Sequence, residues 1–462
     1  MTVPPAELTD RLRAHGQEHA LLGWGSLDTS ARAALVRQLE ALDLAELATL
    51  RERALAPPEA PPEQFEPVPI TPAGFTAEEK ARGADALGRG EIAALLVAGG
   101  QGSRLGALQP KGMFPAGAIS GTSLFQIHAE KVLATSRRYG RAAPLLIMTS
   151  PATDAPTRAF FAENGNFGLA PGQVTFFQQG TMPAVCPHTG KLLFEAPGKL
   201  FLSPNGHGGT LTALADSGSL RALTEQGVKH VSYFQVDNPL VKVFDPGFIG
   251  RHIAAESEAS SKVVAKTAPD EKVGVLVSAN GRGSIIEYTL LPKHLTEERE
   301  PTGELRFRAG SPAIHLFSVA FLERVTRTAA GSLPYRAALK AVAHFDPRAG
   351  QSVPAPSAKE PNAVKFERFI FDALPHAERW LAVETLRSEE FAPIKNASGA
   401  DSPETSRAAQ IALHTEWLRR AGIDTSGHAV EVSPLFGLDA EHLAEKLRGD
   451  KPVKIVEPTV FK

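Results

Sequence analysis

One cysteine, Cys186, in 462 residues excludes an intramolecular disulfide framework and argues against a thiolate zinc cluster. It fits a reducing compartment, and with no evident base partner it reads as an ordinary packing residue. Net charge is nearly absent as well. Lys plus Arg number 49 against 51 Asp plus Glu, a balance of −2, so no global field steers the chain to nucleic acid or to an anionic membrane. Any anion it binds must be held by a local site. No stretch approaches the roughly 20 apolar residues that span a bilayer, and the start, "MTVPPAELTDRLRAHGQEH", lacks the apolar core of a secretory signal. The expectation is a soluble, cytoplasmic protein without nucleic-acid or membrane partners. A Ser/His/Asp or Cys/His pattern for nucleophilic catalysis is also missing.

What is present is an ordinary globular composition, 43% hydrophobic and 22% charged. That length buries one large core and leaves room for smaller satellites. Residues 5–54 space Leu and Ala at three and four with charge between, the helical period. "APPEAPPEQFEPVPITP" (Ala56 to Pro72) is too proline-rich for helix or central strand and reads as a strap. From Glu91 short apolar runs alternate with helical stretches: "EIAALLVAG", "APLLIMTS", "GQVTFFQQ" and "KHVSYFQVDN", separated by "SLFQIHAEKVLATSRRYG" and "PTRAFFAENG". That alternation predicts an α/β fold with a doubly wound, mostly parallel sheet whose ligands sit at the carboxyl ends of the strands. After Ser261 the texture becomes antiparallel, with a hairpin expected at Asn280-Gly281. One helix, "SPETSRAAQIALHTEWLRRAG", and short strands around "HAVEVSPLFG" and "PVKIVEP" end the chain. The boundaries expected are a helical segment with its strap over 1–74, a catalytic domain over 75–395, and a small β-containing domain over 396–462. The N-terminal helices and C-terminal strands are candidate contacts between copies, and nothing in the pattern chooses an oligomeric state.

The chemistry concentrates in "LLVAGGQGSRLGALQPKGMFPAG" (Leu95 to Gly117), a buried strand followed by a glycine loop with two cations. A dinucleotide fingerprint needs G-x-G-x-x-G, and here Leu105 stands at the last position with Gly106 one residue late. A P-loop needs Lys-Ser or Lys-Thr after its glycines, and Lys111 is followed by Gly112. What remains is a glycine turn able to surround phosphate, with Arg104 as a bidentate fork and Lys111 as a point charge. Two solvated cations beside a flexible turn are the plain alternative. Asp237 ends an apolar strand as "QVDN", poorly placed for packing and well placed to hold a cation at the sheet's carboxyl edge.

In full, "AGGQGSRLGALQPKGM" resembles the signature loop of the UTP-dependent sugar-1-phosphate uridylyltransferases, above all the eukaryotic-type UDP-N-acetylglucosamine pyrophosphorylases. The resemblance continues in order through "TFFQQGTMPAV", "FLSPNGHGG", "QVDNPLVKVFDPGFIG", "EPNAVKFERFIFD", "EEFAPIKNA" and "VEVSPL", from about Glu91 to Gly437. It implies attack by a sugar 1-phosphate on the α-phosphorus of UTP, with Mg2+ and release of pyrophosphate. Leu96, Gly99, Gly100 and Gly102 would belong to the UTP site, with the glycine backbone around the phosphates. Arg104, Lys111 and the distant Lys395 would neutralise the reacting charge, and Asp237 would carry the magnesium. Gln179 and the Gly206 backbone match the uracil contacts, with Leu202 beside the ring.

For the sugar, the resemblance implies Gly274, Glu287, Phe369 and Phe371, with Glu287 accepting from hydroxyls and the phenylalanines as an apolar wall. Two positions depart from the acetamidosugar pattern. His207 replaces an Asn in "GHGG", as in UDP-glucose and broad-specificity enzymes, and Ile314 stands where a sugar-contacting Asn is expected. N-acetylglucosamine 1-phosphate is the first expectation and glucose 1-phosphate the second. A catalytically silent sugar-nucleotide-binding regulator is the reading from another class, and it would be expected to have lost Arg104, Lys111, Asp237 or Lys395.

Overall fold

A computed structural model describes residues 3–56, 65–106, 109–288, 290–328, 333–448 and 455–462. Residues 57–64 of the proline-rich strap therefore lie outside the described residues, as does the start of "PVKIVEP". The chain forms two compact units that do not follow sequence order. The first comprises Met1–Ala60, Gln179–Gly209 and Leu333–Ile370; the second comprises the three remaining stretches. The expected boundaries after 74 and 395 both fall inside the second unit.

In the first unit, helices α1 (Ala6–Ala14), α2 (Thr29–Glu40) and α3 (Leu44–Leu55) carry out the helical reading of the N-terminus. Asp28 and Asp43 cap α2 and α3 by accepting the N–H three residues on, at 2.8 Å each. Their leucine stripes, including Leu12, Leu35 and Leu39, share one core with Leu192, Phe194, Leu200, Val364 and Phe366. The core thus draws on all three stretches of the unit.

The second unit is built on a 12-stranded mixed sheet. Its principal strands are β1 (Ile92–Val97), β2 (Leu145–Thr149), β3 (Val174–Gln178), β4 (His230–Gln235), β5 (Ala259–Ala265), β6 (Val275–Ala279), β7 (Arg282–Ile286), β8 (Ala309–Gly310), β9 (His315–Ser318) and β10 (Trp380–Glu384). Four run parallel in the order β3-β2-β1-β4, which is the βαβ part of the fold. β9 then pairs antiparallel with both β4 and β5, and β10 runs parallel to β5. The predicted hairpin joins β6 to β7, with Asn280 and Gly281 both at positive φ, 51° and 77°.

Helices α4 (Ala77–Gly88), α5 (Leu124–Tyr139), α6 (Asp154–Glu163) and α7 (Pro246–Ala254) cover the parallel strands. α5 starts on the Ser123 cap and stops at left-handed Gly140, as the sequence expects. Phe125 and Val132 of α5 and Phe248 of α7 are buried in one core with Leu96 and Ile147. The C-terminal stretch carries α8 (Pro403–Arg420), and Val430–Val432 pairs with Thr459–Phe461. Among the described residues no helix is long and apolar enough to cross a membrane.

Candidate active site

β1 and β4 are adjacent and parallel, with Val97 in register with Gln235, so the segments that leave them emerge level at one sheet edge. After β1 the chain enters the glycine loop. Gln101 bridges Pro110, the Gly102 N–H donates to the Gln109 carbonyl, and the Lys111 N–H donates to the Gly100 carbonyl. This closure returns Lys111 to the foot of the loop. It also occupies the Gly102 N–H within the loop itself, so Gly102 serves loop shape in this conformation. Glycine at 112 is a packing requirement, since a Cβ there would lie 2.3 Å from the Phe125 ring.

After β4 comes Asp237. Its Oδ2 accepts from Lys111 Nζ at 2.8 Å, and the two side chains are only 12% and 16% exposed. Lys395 joins them from far along the chain because the Ile394 N–H donates to the Asp237 carbonyl at 2.9 Å. Lys395 Nζ lies 3.5 Å from Asp401 and 5.3 Å from the centre of the Phe391 ring. Arg104 is exposed and has no ion pair among the described residues. A cleft of about 320 Å³ is lined by Gly100, Gly102, Arg104, Lys111, Asp237 and Lys395, together with loop neighbours. Four chemistry-bearing residues from three distant stretches thus converge on one cleft with three cations and one carboxylate.

Two residues that hold this cleft were not singled out in the sequence. The Asn238 amide donates to the Glu390 carbonyl at 2.6 Å, and its oxygen accepts from the Ala392 and Leu240 N–H groups. It locks the Asp237 turn to the segment carrying Lys395. His128, wholly buried in α5, donates from Nε2 to the Val236 carbonyl at 3.0 Å and steadies the residue before Asp237. Burial drives His128 down to about 3, so it is a neutral ring. The signal for Asn238 was in view: an Asn directly after a strand-ending Asp, in a turn.

The uracil and sugar candidates divide between the units. Leu96 is fully buried in the second unit's core, and Ile314, 2% exposed, belongs to that core as well. Gly274 accepts through its carbonyl from the Ser311 N–H, Glu287 follows β7 half-buried, and Phe371 is buried. In the first unit, the strands Thr181–Pro183 and Leu202–Pro204 pair antiparallel and lead into the 205–209 turn. Its backbone is laced to the 368 segment: the Arg368 N–H donates to the Asn205 carbonyl and the Gly208 N–H donates to the Arg368 carbonyl, both at 2.7 Å. Gly206 has φ of 84°, and a Cβ on it would meet the Arg368 carbonyl oxygen at 2.4 Å. Gln179 is 6% exposed, and its buried Oε1 has no hydrogen-bond partner among the described residues. His207 packs edge-on against Phe369 and accepts at Nδ1 from the Ile370 N–H, which leaves the ring proton on Nε2. Burial lowers its pKa to about 4, so it is neutral at physiological pH.

The chain belongs to the UTP–glucose-1-phosphate uridylyltransferase family, whose model matches residues 70–401. It is 36% identical to the UDP-N-acetylglucosamine diphosphorylase 2 of Arabidopsis thaliana, over 96% of this chain and 92% of that one. It is 39% identical to the UDP-N-acetylglucosamine pyrophosphorylase of Saccharomyces cerevisiae, over 79% and 77% of the two chains. Among solved structures it is similar to a putative UDP-N-acetylglucosamine pyrophosphorylase from Entamoeba histolytica, with a TM-score of 0.79 and 33% identity over 86% of this chain and all of that one.

Proposed function

We propose that this protein transfers the uridylyl group of UTP to a sugar 1-phosphate, N-acetylglucosamine 1-phosphate first, forming the UDP-sugar and pyrophosphate. The observation that carries the reading is the convergence of Arg104, Lys111, Lys395 and Asp237 in one cleft at the carboxyl ends of β1 and β4. The sugar-phosphate nucleophile is already an anionic oxygen, so no protein base is required. The obstacle is repulsion between two polyanions. Three cations in a cleft answer it by positioning and charge neutralisation, the usual basis of phosphoryl and nucleotidyl transfer. In our reading Arg104 and Lys111 take the β and γ phosphates and the departing pyrophosphate, while Lys395 takes the reacting phosphates.

A divalent metal, Mg2+ in this reading, fits Asp237. Among the described residues no three or more His, Cys, Asp or Glu side chains form a metal cage. One carboxylate with phosphate oxygens and water is how Mg2+ is commonly held beside nucleotides. Such an ion supplies Lewis-acid screening of the triphosphate. For uracil we propose Gln179, whose unpartnered buried oxygen suits an imide N–H, with Leu202 and the Gly206 backbone. For the sugar we propose His207, with Gly274, Glu287, Phe369 and Phe371. The proposal carries a cytoplasmic location, resting on the lone Cys186.

Glucose 1-phosphate is the second reading, favoured by His207 and by the apolar, buried Ile314. Pyrophosphate release with UTP, Mg2+ and a panel of acetamido and plain hexose 1-phosphates tests both. N-acetylglucosamine 1-phosphate is expected to react fastest. A clear win for glucose or galactose 1-phosphate moves the substrate. Silence with every sugar while UTP binds overturns the enzyme and leaves the regulator.

A further inference from the structure

The second unit holds another, larger cavity of about 670 Å³, the size of a small-molecule pocket. None of Arg104, Lys111, Asp237 or Lys395 lines it. Its floor is α5, which presents Ile127, Lys131, Thr135 and Arg138 at spacings of four, four and three along one face. Leu413 and Trp417 of α8 supply apolar wall.

Seven carboxylates and five Lys and Arg side chains line it, and what singles out the cations is pairing, not net charge. The wall's carboxylates have partners in the protein: Glu389 pairs with Lys242, Glu390 with Lys262 through Oε1, and Glu431 accepts from the Ile119 and Ser120 N–H groups. Glu390 Oε2 is the buried oxygen left over. Lys131 has no carboxylate within ion-pair distance among the described residues. Its ammonium donates to the Pro239 and Val241 carbonyls, the latter at 2.8 Å, and a third proton remains. Arg138 pairs through Nη2 with Glu445 at 3.0 Å, yet its Nη1 is buried with no hydrogen-bond partner among the described residues. Burial pushes Lys131 down to about 7, with Glu390 opposing and Lys242 adding to the fall. Even half-buried, a cation short of an anion is the costly half of an ion pair.

We propose that this cavity is an effector site for an organic anion with an apolar body, its anionic group on Lys131 and Arg138 and its body against Leu413 and Trp417. Pro239 and Val241, which Lys131 holds, lie two and four residues after Asp237. An occupant that draws the ammonium away loosens the turn carrying Asp237, so occupancy weakens nucleotide binding; this coupling rests on the role proposed above for Asp237.

The probe is 1-anilinonaphthalene-8-sulfonate, an aromatic anion, titrated into the full-length native protein and followed by energy transfer from tryptophan. One equivalent is expected to bind. Affinity is expected to fall at least tenfold in Lys131→Met, and binding to be lost in Ala84→Phe, which fills the cavity from α4. Circular dichroism confirms that each variant is folded, and Lys111→Met is expected to keep the probe site. Equal binding in both cavity variants, or loss of the probe in Lys111→Met, overturns the site. In calorimetry, saturating probe is expected to weaken UTP–Mg2+ binding several-fold in the native protein and not in Lys131→Met. An unchanged UTP affinity overturns the coupling. Absence of UTP binding without any probe sinks the proposed function instead, and leaves the cavity result standing.

Discussion

The phosphate cleft of the second unit and the 205–209 turn of the first use opposite materials. The cleft relies on charge: Arg104, Lys111 and Lys395 around one carboxylate, on loops whose backbone serves mainly to deliver them. The turn relies on backbone: glycines, two 2.7 Å main-chain bonds to Arg368, and a neutral histidine against Phe369. Charge acts over several ångströms and tolerates small displacements, whereas close backbone packing does not. The cleft should therefore control rate, and the turn should control integrity and selectivity.

The largest effect expected is at Lys111. Lys111→Ala removes a phosphate cation and leaves Asp237 without its 2.8 Å partner, and steady-state kinetics should show kcat/KM falling by roughly 10²–10³. A loss below tenfold would break the claim that the cleft governs rate. Next comes Gly206→Ala, which forces a side chain into a positive φ and against the Arg368 carbonyl. Denaturant unfolding should register a cost of about 2–4 kcal/mol; a variant as stable as the parent would show that the turn is slack. Asn238→Ala should lower kcat on the order of tenfold with little change in the KM for UTP, because it positions Asp237 and Lys395 without touching substrate. A rise in KM alone would mark it as a binding group. His207→Asn should have the smallest effect, shifting the N-acetylglucosamine-to-glucose ratio of kcat/KM by several-fold. With its pKa lowered by burial to about 4, His207 stays neutral from pH 6 to 8. The pH–rate profiles of variant and parent should therefore run parallel there, and a step near 6.5 seen only in the parent would make His207 a proton carrier.

The same contrast explains what could be read from the sequence. β1 and β2 are almost wholly apolar, β3 and β4 keep apolar pairs between polar residues, and Asn280-Gly281 states its turn outright, so the sheet and the hairpin are written locally. The cleft's cations could be picked out because a lysine or arginine beside glycines in a loop needs a reason. The Lys111–Asp237 pair could not, since its partners lie 126 residues apart. Nor could the gathering of Gln179–Gly209 and Leu333–Ile370 with the N-terminal helices, because nothing in a leucine stripe names the strand that will cover it. The need for glycine at 206 arises only once Arg368 arrives from another stretch, and the Lys131 cavity likewise consists of shortages visible only in three dimensions.

That discontinuous first unit also imposes a timetable on synthesis. α1 to α3 are made first, yet Leu12 and Leu39 find their cover partly on Phe194 and Phe366. Gln17 reaches the Gly190 carbonyl across 173 residues. On the ribosome the leucines of α1 to α3 lack that full cover until Phe366 has been translated, by which point strands β1 to β4 of the second unit are already made. Contacts of such sequence separation close slowly and leave sticky surface open meanwhile. Helices made before β1 to β4 thus have their core closed by a segment made after them.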